Sequence, residues 1–150
     1  MFDKTIQPYT QPFLKFVAKI FVKFMTPNQV SFIGFFIGLL MCIFILFEFY
    51  IYAFLALIIN RFLDGLDGTM ARLTAPSYFG GYIDIVFDFI IYAAFVLSFG
   101  LKDSSNLLMS CLLLFFYIGT STTFLAYAAI LKNYKPLLEY DKEEVINKSI

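Results

Sequence analysis

The chain has no histidine and no tryptophan, and only two cysteines in 150 residues. Without histidine there is no imidazole to act as general base or metal ligand, so acid–base and metal chemistry fall to carboxylates. Cys42 and Cys111 both lie in apolar stretches, where a free thiol packs as a small hydrophobe. Two such residues provide neither a disulfide framework nor zinc spacing. Charge of one sign is also missing, since 11 basic and 11 acidic residues cancel. That leaves no electrostatic footprint for nucleic acid. Residues 1–11 lack the apolar stretch of a cleavable signal peptide, and neither an internal repeat nor a low-complexity segment is evident.

What the chain has instead is apolar surface: 61% hydrophobic and 21% aromatic residues against 15% charged. Residues 30–47 contain no charge at all, and runs of about 18 such residues read as membrane spans. The pattern predicts an all-α integral membrane protein forming one membrane domain over residues 1–150. Its core, 26–131, holds four spans near 27–47, 51–72, 79–99 and 107–131. An amphipathic helix within residues 8–25 precedes them. Lys15, Lys19 and Lys23 recur there at i, i+4 and i+8, with Phe13, Phe16, Val17, Ile20, Phe21 and Phe24 around the remaining face. A basic, aromatic-rich helix of this kind lies in the membrane interface.

Thr26 is a good N-cap and Pro27 suits the first helical position, so the first span starts there. Residues 132–150 read as a polar, solvated tail carrying Glu139, Asp141, Glu143 and Glu144. In this layout Lys4, Lys15, Lys19, Lys23, Arg72, Lys132, Lys135, Lys142 and Lys148 share one side, and Lys102 alone takes the other. The positive-inside rule then places both ends, and the charged motif, in the cytoplasm.

That motif is Asp64-Gly65-Leu66-Asp67-Gly68-Thr69-Met70-Ala71-Arg72, followed after a short spacer by Gly80-Gly81-Tyr82-Ile83-Asp84-Ile85-Val86-Phe87-Asp88. An ionisable side chain at a helix centre in lipid costs about 2.5–3.5 kcal/mol, so four uncompensated carboxylates would cost ~10 kcal/mol. A cluster that expensive marks a site. At about 100° per residue, Asp64, Asp67, Gly68, Ala71 and Arg72 share one helix face. Gly80, Asp84 and Asp88 form a second stripe at i, i+4 and i+8.

Two helices facing each other through these stripes would converge four carboxylates, an all-oxygen set suited to Mg²⁺, Mn²⁺ or Ca²⁺. Four acids exceed what one Mg²⁺ takes from protein, and a pair of ions is the recurring arrangement for phosphoryl displacement. Other readings are weaker. Asp-Gly turns do not suit an apolar context without strand alternation, and an EF-hand loop fails because Leu66 occupies a ligand position. Intramembrane acids lining a cation pathway remain an alternative.

The chain resembles the CDP-alcohol phosphatidyltransferases, whose signature is D-x-x-D-G-x-x-A-R, a spacer, then G-x-x-x-D-x-x-x-D. Asp64, Asp67, Gly68, Ala71, Arg72, Gly80, Asp84 and Asp88 match every fixed position. The seven-residue spacer between Arg72 and Gly80 is one shorter than is usual in the family. The resemblance covers residues 8–131, including the entry Thr26-Pro27-Asn28.

It implies transfer of a substituted phosphate from a CDP-linked lipid alcohol to an acceptor alcohol, with release of CMP, using two Mg²⁺ or Mn²⁺ ions. Asp64, Asp67, Asp84 and Asp88 would hold the metals, and Asp88 would also take the acceptor proton. Gly68, Ala71, Arg72 and Gly80 would serve the CDP group. A phospholipid-synthesis enzyme of the cell's inner membrane is therefore expected. Members of the family carry six spans where four are expected here. A weakly active or inactive form that retains metal and CDP-lipid binding is thus a second expectation, as is completion of the site by a second copy of the chain. The acceptor is not legible.

Overall fold

The computed structural model describes the backbone of residues 3–148 and the side chains of residues 11–130. It is helical, with no strand among the described residues. Five helices follow in order: α1 (Asp3–Phe21), α2 (Pro27–Leu46), α3 (Tyr50–Leu73), α4 (Tyr78–Lys102) and α5 (Leu107–Lys148). A single 3-10 turn, Ser104–Asn106, lies between the last two.

Local chemistry accounts for the boundaries. The Thr26 hydroxyl accepts from the Gln29 backbone N–H, and the Gln29 side chain accepts from the Thr26 N–H. This reciprocal box, with Pro27 at the first helical position, starts α2 where the sequence predicts it. Ser77 caps α4 with a one-way bond, its hydroxyl accepting from the Gly80 N–H. The Asp103 carboxylate accepts from the Ser105 backbone N–H, which holds it below the usual carboxylate range.

Two ends differ from expectation. Helix α4 runs to Lys102 rather than 99, its last turn Phe99-Gly100-Leu101-Lys102 ending on a cation that suits a helix C-terminus. The α5 backbone does not stop at Leu131 but continues to Lys148. Pro136 is the one strong helix breaker in that stretch, among good helix formers such as Leu, Lys and Glu. The side chains of the expected tail lie outside the described residues.

Residues 1–111 form one unit and 112–150 another. Within the first, α2 is the central rod. Helix α3 runs antiparallel along it, pairing Ser31 with Asp67, Gly34 with Asn60 and Leu63, and Ile45 with the level of Ala53. Helix α4 runs parallel to α2, with Phe35 stacked on Phe87 and Gly38 against Ile91. A Cβ at Gly38 would sit 2.5 Å from Ile91 Cδ1, so the close approach of α2 and α4 requires glycine there.

Met41, Cys42, Ile45, Ala53, Ala56 and Ile91 close the core at one end of the rod. Ala18, Val30, Leu66 and Met70 close it at the other, where α1 lies against α3. On α1, Leu14, Val17 and Ala18 face inward, whereas Phe13, Phe16 and Ile20 remain exposed beside Lys15 and Lys19, as do Lys23 and Phe24 in the turn after it.

Among the described residues, three helical segments are long and apolar enough to cross a membrane: Pro27–Leu46, Tyr78–Lys102 and Ser104–Ile130. Helix α3 has the length, at 24 residues, but Arg61, Asp64, Asp67 and Arg72 deny it the apolarity. It follows α2 along its length all the same. In the second unit the described face of α5 is apolar and exposed, and Thr120, Thr122 and Thr123 return their hydroxyls to backbone carbonyls of their own helix.

Candidate functional site

The start of α2, the last turns of α3 and the start of α4 meet at one end of the rod. Carboxylate oxygens of Asp64, Asp67 and Asp84 all lie within 4.8 Å of one another there. Asp67 is buried, and its carboxylate accepts a short hydrogen bond from the Ser31 hydroxyl. Asp64 is half-buried and Asp84 exposed. Three carboxylates this close form an all-oxygen donor set that can hold a hard dication, with no nitrogen or sulfur competing.

Asp88 lies one turn further along α4 and is engaged differently. Its Oδ1 accepts from Arg61 Nη2 at 2.8 Å, and Arg61 Nη1 is 3.5 Å from Asp64 Oδ2. The sequence stripe therefore brings three of the four acids into one group and sets the fourth on a guanidinium.

Beside the carboxylates opens a cleft of about 380 Å³. Gly68, Ala71, Arg72 and Gly80 all line it, together with Asp67 and Asp84. A Cβ at Gly68 would meet nothing nearer than Arg72 Nη1 at 3.7 Å, so the missing side chain there leaves open space in the cleft. Gly80 is different: a Cβ would come within 2.9 Å of Ser77 Oγ and 3.0 Å of Asn28 Oδ1. Arg72 donates to Thr69 Oγ1 at 3.0 Å along its own helix. A smaller depression of about 20 Å³, the space of one water, shares Ser31, Asp67 and Asp84 with the cleft and adds Asp64, Asp88 and Arg61.

Sequence reasoning did not single out Arg61, Asn60, Ser31, Asn28, Ser77 or Tyr92. The available signal was the Asn60-Arg61 pair, polar residues within an apolar run, three residues before Asp64. Ser31, in an uncharged span, offered none.

Comparison with known proteins bears on this arrangement. A match to the CDP-alcohol phosphatidyltransferase family covers residues 24–139. The chain is 37% identical over 132 residues to the inner membrane protein YnjF of Escherichia coli, covering 87% of this chain and 64% of that protein. It is 46% identical over 68 residues to an archaetidylinositol phosphate synthase of Pyrococcus horikoshii, covering 42% of this chain and 34% of that one. Against an uncharacterised protein of Aquifex aeolicus the identity is 29% over 132 residues, covering 82% and 66%. The chain thus spans less than two thirds of the length of the first two relatives. No solved structure matches it. The family match covers more than half of the chain and includes every residue of the carboxylate group and the cleft, so the chain belongs to the CDP-alcohol phosphatidyltransferase family.

Proposed function

We propose that this chain transfers a substituted phosphate from a CDP-linked lipid alcohol to a second alcohol and releases CMP. The observation that carries the reading is the convergence of Asp64, Asp67 and Asp84 at the wall of a cleft large enough for a nucleotide diphosphate. Family membership gives that geometry its chemistry. In this reading the three carboxylates hold Mg²⁺ or Mn²⁺. A bound ion would polarise the phosphate oxygens and offset charge on the departing CMP.

The chain's own residues do the rest. Gly68 and Ala71 keep the cleft open for the nucleotide, and Arg72 offsets diphosphate charge. The acceptor oxygen attacks the phosphorus that carries the lipid alcohol, the bond from that phosphorus to the CMP oxygen breaks, and Asp88 takes the acceptor's proton. The acceptor is open. One relative's name denotes a synthase of archaetidylinositol phosphate, which makes inositol phosphate the first candidate beside glycerol phosphate and serine.

The setting is a cell membrane, as for the inner membrane relative. The exposed Phe13, Phe16 and Ile20 of α1, beside its lysines, support a helix lying in the interface. With α3 crossing beside α2, the lysine distribution puts the site and both ends on the cytoplasmic side. The small residues Gly119, Ser121, Ala126, Ala128 and Ala129 give α5 a surface on which a second copy can pack.

The test is CMP release from CDP-diacylglycerol by the purified chain with Mg²⁺ or Mn²⁺, across that acceptor panel. Acceptor-dependent CMP release supports the reading. Metal-dependent binding of CDP-lipid without release under any acceptor would reduce the site to a binding site.

A further inference from the structure

Helices α3 and α4 each pack on α2 rather than on one another. Yet the site draws Asp64 and Asp67 from α3 and Asp84 and Asp88 from α4. Beyond their common packing on α2, the relation between the two pairs is set by side chains that reach across. Arg61 does this. From α3 it donates to Asp88 Oδ1 at 2.8 Å and to the Tyr92 hydroxyl at 2.6 Å, both on α4, and its guanidinium lies 5.1 Å from the Tyr92 ring centre.

Its other edge is fixed as well. Asn60 Oδ1 accepts from Arg61 Nε at 3.0 Å and Nη2 at 2.8 Å. Asn60 is 2% exposed, and its Nδ2 donates to the Gly34 carbonyl of α2 at 2.8 Å. That bond dictates which end of the amide faces the guanidinium, because only the carbonyl end can accept. Three helices thus hold one planar fork, an arrangement a lysine cannot reproduce.

We infer that Arg61 is a positioning residue: seated on Asn60 and Tyr92 and lying 3.5 Å from Asp64 Oδ2, it fixes where Asp88 stands relative to the Asp64, Asp67 and Asp84 group. Resting on the transfer reaction proposed above, the inference explains how one acid of four serves as proton acceptor while three serve a cation. Released from Arg61, Asp88 would be free to turn toward the three or away from the acceptor. The kinetic consequence is loss of turnover without loss of substrate or metal binding.

The test uses the full chain in detergent, with R61Q, R61K, D88N and R61Q/D88N. Three quantities are read: kcat and KM for CMP release from CDP-diacylglycerol, Mn²⁺ affinity by electron paramagnetic resonance, and melting temperature. R61Q is expected to lower kcat about 100-fold, the scale of a misplaced reacting group, with KM within about threefold and Mn²⁺ binding no weaker. R61K is expected to recover about a tenth of wild-type kcat, because it restores charge without the fork.

In the melting cycle the double variant should fall no lower than the worse single one, as for residues in direct contact. A kcat loss under about threefold in R61Q would overturn the inference, as would joint loss of Mn²⁺ binding. Strictly additive melting losses would overturn it too. Should the wild-type chain release no CMP with any acceptor, the transfer reading falls, and the melting cycle still decides whether Arg61 holds Asp88.

Discussion

Two polar clusters, one at the far end of α2 and one at the level of Gly34 toward its site end, are built from the same parts. At one, Lys102 approaches Glu48 to 3.5 Å, donates to the Tyr50 hydroxyl and lies 5.1 Å from that ring's centre. At the other, Arg61 engages Asp88 and the Tyr92 hydroxyl, with the ring centre again at 5.1 Å. What differs is the balance. Lys102 meets one carboxylate, which is 68% exposed, and the cluster staples the α2–α3 turn to the end of α4. Arg61 meets two carboxylates, and beyond it Asp67 and Asp84 draw together with Asp64. A cation, a tyrosine and an acid thus make a clasp in each cluster. An excess of acid over cation, half-buried beside a cleft, is what distinguishes a site from a clasp.

The largest effects should separate the two clusters cleanly. Asp64→Asn, Asp67→Asn and Asp84→Asn are each expected to cut CMP release more than about 100-fold, since a neutral amide cannot supply a cation's charge. Glu48→Gln and Lys102→Gln, at the clasp, are expected to change it less than about twofold, in line with the small worth of exposed ion pairs. Equal losses in both clusters would mean that the carboxylate excess has no special role.

The cleft sharpens the comparison on a finer scale. Adding a methyl at Gly80 pushes on Ser77 Oγ and Asn28 Oδ1, whereas at Gly81 a Cβ meets nothing within 4 Å. Overpacking of this kind costs about 1–3 kcal/mol. Gly80→Ala is therefore expected to reduce kcat/KM about tenfold, and Gly81→Ala to leave it near wild type. The two rates, measured with CDP-diacylglycerol, check the placement of the cleft wall.

Much of the fold was legible because it is local. The Thr26-Pro27 start of α2 and the capping of its first turn need only neighbouring residues. The carboxylate stripes follow from helix periodicity, whereas bringing Asp84 of α4 to Asp64 and Asp67 of α3 takes packing between helices. What sequence did not provide was register between helices. Ser31 reaches Asp67 across 36 residues, and Arg61 reaches Asp88 across 27. Both depend on how far α3 slides against α2 and how α4 sits beside them. Nothing local fixes either, so the Arg61 contact to Asp88 was not legible in the sequence. The extent of α5 was missed for the opposite reason: Glu139, Asp141, Glu143 and Glu144 read as a solvated tail, and the helical backbone continues regardless.

The smallest expected effect concerns stability alone. Thr26→Ala removes one half of the capping box at the site end and should cost about 1 kcal/mol, read as a lower melting temperature with turnover per folded molecule retained. Lys102→Met should lower the melting temperature less, because the pair it breaks is exposed. A larger drop for Lys102→Met would make the far clasp a main support of the rod rather than a staple.

The central claim, that acid excess at one end makes a divalent-cation site, is tested most directly by titrating the purified chain with Mn²⁺ and following free ion by electron paramagnetic resonance. Saturable binding is expected in the wild type and in Glu48→Gln, and its loss in each of Asp64→Asn, Asp67→Asn and Asp84→Asn. Binding that survives all three of those substitutions, or is absent from the wild type, would contradict the account.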